Sequence, residues 1–302
     1  MDYLESLYRS FDEPTRKTLE SGEYRRLLEG SLPPPSHPQY RTWLLYGLTG
    51  ILRGRECGTA LEEFISLKGS RMLDFGCGEG GIAVALTQAG ASVTAIDVDE
   101  SRVRRTEALA RDFELSVDAR LSTDYGAELE SASFDAVVCN DVIEHVESRE
   151  ALAESHARLL RDEGVLYLTV PNRFSLRALR SDGHYGLPGL SLMSRGGGEW
   201  YVTRLARRAD TYTLNRLLGW KEVHRLYRRV GIDLRCISDR GIVERLRRRL
   251  GSRSTIPLRA DSRSERMAVG LIRLVIQEFW TFIGTRRRGA RETDRPGTRG
   301  RP

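Results

Sequence analysis

Hydrophobic residues between positions 70 and 172 come in short blocks that alternate with amphipathic stretches of helical period. The blocks predict strands at 71–75, 92–97, 117–121, 134–139 and 165–170, and the stretches predict helices at 82–89, 100–113 and 149–161. Strands separated by helices pair in parallel through right-handed crossovers. The pattern therefore predicts an α/β fold with a doubly wound, Rossmann-like, mostly parallel sheet.

The first part of the chain has a helical pattern. Apolar residues recur at helical spacing in 4–11 and again in 40–51, and prolines between positions 33 and 38 separate the two stretches. We predict an N-terminal helical cap over residues 1–65 that packs on the main domain.

A glycine-rich segment at 174–220 is too long for an idle connection in a compact domain. We predict that it is a substrate-covering insertion within a main domain of residues 66–284. Beyond it, the hydrophobic pattern predicts strands at 232–238 and 279–283, with helices at 243–250 and 265–276 between them.

The formal net charge of +6 results from 48 basic and 42 acidic residues, and nearly all of the basic residues are arginine. Part of the excess lies in an arginine-rich tail, residues 285–302, whose composition predicts disorder. A solvated chain end is the simplest interpretation of this tail. A weak contact with anionic lipid or nucleic acid is the alternative.

Composition also narrows the class of protein. The most apolar stretch, 267–284, contains Arg273 and Glu278, which argues against a membrane-spanning helix. An interfacial helix over 267–282, giving peripheral membrane contact, is an alternative. The four cysteines are far apart and follow neither a zinc-site nor a disulfide pattern, which favours a cytoplasmic protein.

A glycine-rich turn follows the first predicted strand, at residues 74–80 (DFGCGEG). Glycine allows a tight turn and lets a ligand approach the backbone amides, and Asp97 at the end of the next strand can accept hydrogen bonds from a ribose diol. The turn also fits the G-x-G-x-x-G pattern of dinucleotide-binding proteins. Asp74 favours another ligand, because a carboxylate here opposes a pyrophosphate but can bind an ammonium group. The predicted ligand joins adenosine to an amino acid.

Further motifs follow this turn in order. Residues 74–80 match D-x-G-x-G-x-G, 96–99 (IDVD) give an acidic strand end, Asp124-Tyr125 precede the fourth strand, and 134–146 read FDAVVCNDVIEHV. On these motifs the chain resembles the class I S-adenosylmethionine-dependent methyltransferases, in the branch of the ubiquinone-biosynthesis-type O-methyltransferases. The resemblance is strong for 66–172 and looser to 284. It implies a seven-stranded sheet whose last strand, at 279–284, is antiparallel.

The resemblance also implies S-adenosylmethionine as the cofactor. The residues that it assigns to cofactor binding are Asp74, Gly76, Cys77, Gly78, Gly80, Asp97, Val98, Asp124, Tyr125 and Asn140. Among them, Asp74 is expected to bind the amino group, Asp97 the ribose and Asp124 the adenine.

Methyl transfer to a hydroxyl needs a base that takes up the hydroxyl proton. His145 follows the fourth predicted strand, ligands in such sheets bind beyond the carboxyl ends of the strands, and histidine titrates near neutral pH. We predict that His145 is this base, with help from Asp141 or from His184, whose glycine-flanked loop can close over a substrate. Packing, a loop hydrogen bond or simple solvation are the alternative roles of the two histidines.

Asp141, Glu144 and His145 share one face if a helix begins there. In the ubiquinone-type relatives this cluster is associated with a divalent cation, so magnesium is an alternative by resemblance. Two acids at a helix start are also favoured by the helix dipole, and three such donors do not specify a metal. We predict no metal.

The predicted function is methyl transfer to a small-molecule, lipid-linked or glycan-linked acceptor, at oxygen. A nucleic-acid methyltransferase is one alternative, suggested by the basic charge, although residues 140–143 (NDVI) differ from the N/D-P-P-Y/F motif of enzymes that methylate amino groups of nucleic acids. A cofactor-binding regulatory or assembly protein is a second alternative, because binding and turnover need the same glycine turn.

Overall fold

A computed structural model describes residues 2–37, 39–238 and 278–286. Its strands are β1 (Arg71–Phe75), β2 (Ser92–Asp97), β3 (Asp118–Leu121), β4 (Phe134–Cys139), β5 (Leu160–Pro171), β6 (Ile232–Cys236) and β7 (Phe279–Arg286). Hydrogen bonds join them into one sheet in the order β3-β2-β1-β4-β5-β7-β6.

The pairing directions match the alternation of strands and helices. β1 pairs in parallel with both β2 and β4, and β2 pairs in parallel with β3. β6 and β7 are antiparallel, with Leu234 opposite Gly284. The predicted doubly wound, mostly parallel, seven-stranded sheet with an antiparallel last strand is thus confirmed.

The helices occupy the chain before the sheet and the connections between strands. They are α1 (Asp2–Arg9), α2 (Glu13–Ser21), α3 (Glu23–Ser31), α4 (Tyr40–Leu48), α5 (Gly50–Glu62), α6 (Gly81–Gln88), α7 (Glu100–Asp112), α8 (Arg149–Leu159), α9 (Leu176–Arg180), α10 (Arg195–Trp200) and α11 (Trp220–Arg229). The chain forms two compact units. Unit 1 contains Met1–Cys139 and Arg158–Tyr167, and unit 2 contains Asn140–Ala157 and Leu168–Pro302.

In unit 1, α5 and α6 pack at a distance that only glycine permits. A β-carbon on Gly54 would lie 2.5 Å from the β-carbon of Ala85, and one on Gly81 would lie 2.3 Å from the carbonyl carbon of Gly50. Any larger side chain at these positions would therefore push the helices apart. This packing fixes the start of α6, where the glycine turn ends.

The N-terminal helices are anchored on α7 within the same unit. The carboxylate of Asp112 accepts hydrogen bonds from the backbone N–H groups of Glu23 and Tyr24, each at 2.9 Å. These are donors that a helix start leaves unpaired, so Asp112 serves as the cap of α3. The segment 1–65 is helical as predicted, and its role as a cap stays a prediction.

In unit 2, the glycine-rich insertion contains more regular structure than its sequence indicates. Besides α9 and α10 it has a 3₁₀ turn at Leu190–Leu192 and a π-helical turn at Tyr201–Leu205. Leu187, Leu190 and Val202 form a small buried core. Glycine is a poor helix former, which explains why local pattern does not predict these short turns. That the insertion covers a substrate stays a prediction.

The largest difference from the predicted elements is the start of β5. The strand begins at Leu160 rather than at 165, and α8 ends at Leu159, two residues before the predicted end at 161. Residues 161–163 are charged and exposed, and Glu163 has a φ of +63°, so this part of the strand lacks an apolar pattern.

The end of the chain is described only in part. β7 continues to Arg286, beyond the predicted end at 283. The predicted helices at 243–250 and 265–276, most of the interfacial segment 267–282 and the tail after 286 lie outside the described residues. Among the helices that are described, none combines the length and the apolar character needed to cross a bilayer.

Candidate active site

The glycine turn of unit 1 links β1 to α6 in a conformation that suits glycine alone. Gly76, Gly78 and Gly80 have φ values of +77°, +53° and +77°, a region that other residues rarely adopt. The backbone N–H groups of Gly76 and Cys77 both donate to the carbonyl of Ile96, at 2.8 and 2.9 Å. These bonds tie the turn to the end of β2.

The two faces of this turn differ. A β-carbon on Gly80 would lie 2.7 Å from the Cα of Thr106 in α7, whereas one on Gly78 would meet no protein atom within 4 Å. The Cys77 side chain is buried, with its sulfur 3.3 Å from the Thr106 hydroxyl. Cys77 therefore packs on α7, and the turn is open beside Gly78, where a ligand can approach the backbone.

Asp97 ends β2 and holds the turn from the other side. Its Oδ2 accepts the backbone N–H of Gly78 at 2.9 Å, and its Oδ1 accepts that of Asp99 at 3.0 Å. Arg102 lies 3.7 Å from Oδ2. The carboxylate is therefore oriented by the backbone N–H groups of Gly78 and Asp99. The next residue, Val98, is exposed, which leaves an apolar side chain beside this carboxylate.

Asp74, the last residue but one of β1, has an unusual side-chain environment. Its side chain is buried, and its Oδ2 has no hydrogen-bond partner among the described residues. Burial raises its pKa to about 7, and the charge of Asp97 adds to this, against a hydrogen bond from the Ala83 backbone. A buried carboxylate oxygen without a partner is costly unless a ligand satisfies it. Asp74 thus fits an ammonium group.

Asp124 and Tyr125 follow the end of β3. Asp124 is exposed, and its Oδ1 accepts the backbone N–H of Ala127 at 3.2 Å. Tyr125 has a φ of +60°, so the chain turns sharply here. Contact of this segment with adenine stays a prediction.

An ion pair that local sequence reasoning misses holds the same turn. Glu79 pairs with Arg105 of α7, which is buried, and the Oγ1 of Thr106 lies 3.5 Å from the carbonyl oxygen of Gly78. The sequence contains two separate signs of this pair, an acid inside the glycine motif and an arginine on the apolar side of an amphipathic helix. Neither sign indicates that the two side chains meet.

In unit 2, the residues after β4 are organised by Thr169 of β5. Asn140 donates its amide to Asp141 Oδ2 at 2.9 Å, and the Thr169 hydroxyl donates to Asp141 Oδ1 at 2.8 Å. The backbone N–H of Asp141 donates to the same hydroxyl oxygen at 2.8 Å. Asp141 therefore stabilises a bend with a φ of +56°. Its assistance in catalysis, and contact of Asn140 with the cofactor, stay predictions.

No helix begins at Asp141, which was the condition for Asp141, Glu144 and His145 to share one face. Residues 143–145 form a turn, and α8 begins only at Arg149. A positive φ is incompatible with a right-handed helix, so the bend at Asp141 prevents a helix from starting at this residue. Asp141, Glu144 and His145 consequently do not share a helix face.

The turn instead groups Glu144 and His145 with His184 from the insertion. Glu144 is buried, and in the described part of the chain its Oε2 has no hydrogen-bond partner, while its Oε1 lies 4.0 Å from His145 Nε2. Burial and the nearby Asp141 raise the pKa of Glu144. The rings of His145 and His184 lie 5.2 Å apart at an interplanar angle of 71°. Sequence patterns indicated both histidines but not their proximity.

The loop that carries His184 is fixed by one carboxylate. Asp182 Oδ1 accepts the backbone N–H groups of His184 and Tyr185, at 2.8 and 2.7 Å, and Oδ2 accepts that of Leu187 at 2.9 Å. An aspartate that accepts several amides of its own loop stabilises a turn. His184 is therefore held beside His145 by local structure.

The cluster does not fit magnesium. One ligand atom from each of Glu144, His145 and His184 lies within 4.8 Å of the others, and this is the one such group among the described residues. Magnesium prefers oxygen ligands, whereas this set offers one carboxylate and two imidazoles. Asp141, the third member of the cluster that the resemblance associates with a cation, is engaged with Thr169 instead.

Known proteins share this arrangement of motifs. A family model described as "Methyltransferase domain" matches residues 51–221. The ubiquinone biosynthesis O-methyltransferase of Xanthomonas oryzae pv. oryzae (strain PXO99A) is 38% identical over 111 residues, which are 36% of this chain and 46% of that protein. The protein of the same name from Xylella fastidiosa (strain M23) is 37% identical over 115 residues, which are 37% of this chain and 46% of that protein. The chain thus spans about half the length of the curated relatives that it matches.

Solved structures support the fold. The magnesium protoporphyrin IX methyltransferase of Synechocystis PCC 6803 with bound SAH is 16% identical, with a TM-score of 0.51 over 87% of this chain and 92% of that chain. A SAM-dependent methyltransferase of Methanosarcina mazei is 17% identical, with a TM-score of 0.50 over 76% of this chain and 97% of that chain. At such identities the likeness concerns the fold alone.

The matched region begins in α5, includes the glycine turn and the Glu144–His145 turn, and ends at the start of α11. It covers more than half of the chain. The chain therefore belongs to the methyltransferase domain family, of the class I S-adenosylmethionine-dependent type that its motifs resemble.

Proposed function

We propose that the protein is a methyltransferase that uses S-adenosylmethionine to methylate an oxygen of a small-molecule acceptor. The single observation that carries the proposal is the buried Asp74, whose Oδ2 lacks a partner at the start of an open glycine turn. The names of the curated relatives favour oxygen as the methylated atom. Phosphate-bearing dinucleotides would leave Asp74 opposed by like charge.

Unit 1 supplies the cofactor site in this proposal. Asp74 binds the ammonium group of the methionine portion, and Asp97 binds the ribose hydroxyls. Asp124 and Tyr125 meet the adenine, and the exposed Val98 gives it an apolar contact. Bound S-adenosylmethionine supplies a methyl group on a positively charged sulfur.

Unit 2 supplies the acceptor chemistry. The acceptor oxygen forms its bond to the methyl carbon as the carbon–sulfur bond breaks, and the hydroxyl proton passes to an imidazole nitrogen of His145. A base in such a position typically contributes about 10²–10⁴-fold in rate. Glu144, 4.0 Å from His145, orients this ring and stabilises its protonated form when ionised. His184 contacts the acceptor from the insertion.

The insertion, residues 174–220, covers the acceptor in this proposal, and segment 1–65 caps the domain. A lipid-linked or glycan-linked acceptor satisfies the same chemistry, because the protein acts on one hydroxyl and the rest of the acceptor is outside the reaction. The free cysteines among the described residues support a reducing cytoplasm as the setting.

Calorimetric titration tests the cofactor assignment first. We expect S-adenosylhomocysteine to bind with micromolar affinity and NAD not to bind. Asp74→Asn should weaken the binding of S-adenosylhomocysteine, whereas Asp162→Asn, an exposed aspartate of the same unit, should not. Binding of neither ligand to the folded protein would contradict the proposal. Release of S-adenosylhomocysteine in a screen of phenolic and aliphatic alcohols then tests turnover.

A further inference from the structure

Unit 2 contains a cavity of about 370 Å³ whose wall is dominated by arginine. It lies between the start of α8, the segment before α11 and the exposed side of α11. The arginines that line it are Arg149, Arg195, Arg216, Arg225 and Arg229. None of these arginines belongs to the motifs at 74–80, 96–99, 124–125 and 134–146.

The acids of the wall do not neutralise them. Glu222 is already paired, because Arg216 contacts it at 2.7 and 3.1 Å and the Gly219 backbone N–H donates to it at 2.6 Å. These contacts hold the pKa of Glu222 at about 2, so it stays ionised and engaged. Among the described residues of the wall, only the acids Glu147 and Glu150 remain to face the other arginines.

Four cations of the wall have no ion pair within the parts of the chain that the structure describes. Among the described residues, Arg149, Arg195, Arg225 and Arg229 have no carboxylate oxygen within 4.0 Å. Arg149 is partly buried and donates to the carbonyl of Arg216, and burial together with the charge of Arg216 lowers its pKa. The described residues of the wall thus carry two more positive than negative charges after the Arg216 pair is set aside.

The cavity wall is bonded to the turn that carries the proposed base. The backbone N–H of Asn215 donates to the carbonyl of Glu144 at 2.8 Å, and its side-chain amide donates to the carbonyl of Val146. Arg195 donates to the side chain of the same Asn215 at 3.3 Å. A ligand held by the arginines is therefore held next to the residues that flank His145.

We infer that this cavity binds a phosphoryl group of the methyl acceptor, so that the acceptor is a phosphorylated molecule anchored by Arg149, Arg195 and the two arginines of α11. Guanidinium groups match the geometry of phosphate oxygens with two parallel hydrogen bonds. Two surplus charges match a phosphate dianion. This inference rests on the proposed function for the identity of the ligand as acceptor, and on the cavity alone for the binding of phosphate.

Titration with inorganic pyrophosphate at physiological ionic strength tests the site without any methyl transfer. Arg195→Gln/Arg229→Gln should weaken binding by about tenfold or more, since hydrogen bonds to charged groups are lost. The matched control is Arg204→Gln/Arg208→Gln, which removes the same charge from exposed positions of unit 2 outside the cavity and should bind as the unchanged protein does. Arg225→Gln alone provides a second variant if the double variant fails to fold.

A parallel experiment distinguishes the source of the phosphoryl group. If the phosphoryl group belongs to a soluble acceptor, co-sedimentation with vesicles containing phosphatidic acid should not depend on Arg195 and Arg229. It should depend on them if the group is a lipid headgroup. Either result keeps the phosphoryl site, and the comparison with pyrophosphate assigns its source.

Two outcomes would overturn the inference. One is no binding of pyrophosphate to the unchanged protein, and the other is an equal loss in the cavity and control variants, which would indicate adventitious charge attraction only. S-Adenosylhomocysteine is titrated in the same samples, and its affinity should be unchanged in all variants. Loss of that binding in the unchanged protein would contradict the proposed function, whereas loss of pyrophosphate binding alone would contradict only the cavity.

Discussion

Arg105 holds Glu79 by two parallel hydrogen bonds, with Nε 2.6 Å from Oε2 and Nη2 3.1 Å from Oε1. Only 7% of the arginine side chain and 22% of the glutamate side chain are exposed. Glu79 lies inside the glycine turn, and Arg105 lies on the helix that follows β2. The pair therefore stabilises the turn, although neither residue is among those predicted to bind the cofactor.

Loss of this arginine should loosen the turn and destabilise the protein. Arg105→Gln leaves a poorly hydrated carboxylate without a partner, and we expect the free energy of unfolding to fall by about 3 kcal/mol. The affinity for S-adenosylhomocysteine should fall by about tenfold, measured by calorimetry well below the melting temperature. The neighbouring pair Arg104–Glu100 is exposed, so Arg104→Gln should change stability by less than about 0.5 kcal/mol and leave binding intact.

A double variant separates the ion pair from general damage to the helix. Glu79→Gln/Arg105→Gln removes both charges, so its loss of stability should be smaller than the sum of the single losses. Equal effects of Arg104→Gln and Arg105→Gln, or strictly additive losses, would contradict the role assigned to the pair.

The buried Asp74 should make cofactor binding depend on pH. Its pKa of about 7 means that it is mostly protonated at pH 6 and mostly ionised at pH 8, and only the ionised form attracts an ammonium group. Affinity for S-adenosylhomocysteine should therefore rise by about tenfold from pH 6 to pH 8. Asp74→Asn should bind weakly with a flat profile, and Asp162→Asn should keep the rise. A rise that persists in Asp74→Asn would assign the titration to another group.

His145 should affect turnover without affecting cofactor binding. His145→Ala should lower kcat by about 10²–10⁴-fold, because the acceptor hydroxyl then lacks a base, while calorimetry should give an unchanged affinity for S-adenosylhomocysteine. The exposed His37 of unit 1 supplies the control, since His37→Ala removes an imidazole far along the chain from this turn. Full turnover by His145→Ala at saturating acceptor would exclude it as the base.

A buried histidine of unit 2 should make the protein sensitive to acid. His156 is buried against Tyr227, with Nδ1 3.0 Å from the phenol oxygen, and burial lowers its pKa from 6.5 to about 3. The unfolded chain takes up a proton near pH 6.5 and the folded chain does not, so the free energy of unfolding should decrease as the pH falls from 6.5 towards 3. The contribution of one such group approaches about 1.4 kcal/mol per pH unit.

Denaturant unfolding at pH 7, 6, 5 and 4 measures this dependence. The rings of His156 and Tyr227 are stacked, with centroids 5.9 Å apart. His156→Phe keeps this stack without a titrating group, so the stability of the variant should decline less steeply below pH 6.5. The variant should be less stable at pH 7, because the Tyr227 hydroxyl loses a hydrogen-bond partner. His37→Phe, in which an exposed histidine is replaced, should follow the unchanged protein. Identical slopes in the two variants would show that His156 does not cause the acid sensitivity.

The order of strands and helices was determined by the sequence alone. β1, β2 and β4 have the predicted ends, because each is a short apolar run bounded by polar or glycine residues. The glycine turn and the acidic end of β2 were also predictable from local sequence. In the turn, positive φ values select glycine. The predicted β5 was too short because residues 161–163, near its start, are exposed and charged. This part of the sequence therefore lacks the apolar pattern of a buried strand.

The contacts within the site were decided by the tertiary structure. A sequence specifies which side chains carry a carboxylate or an imidazole, but proximity between distant positions depends on how helices and loops pack. Glu79 meets Arg105, and His145 meets His184, across separations that no local pattern spans. The bend at Asp141 keeps Asp141, Glu144 and His145 from sharing a helix face, and burial raises the pKa of Asp74 to about 7. Local periodicity fixes the backbone elements, whereas desolvation and long-range contact set the chemistry of the side chains.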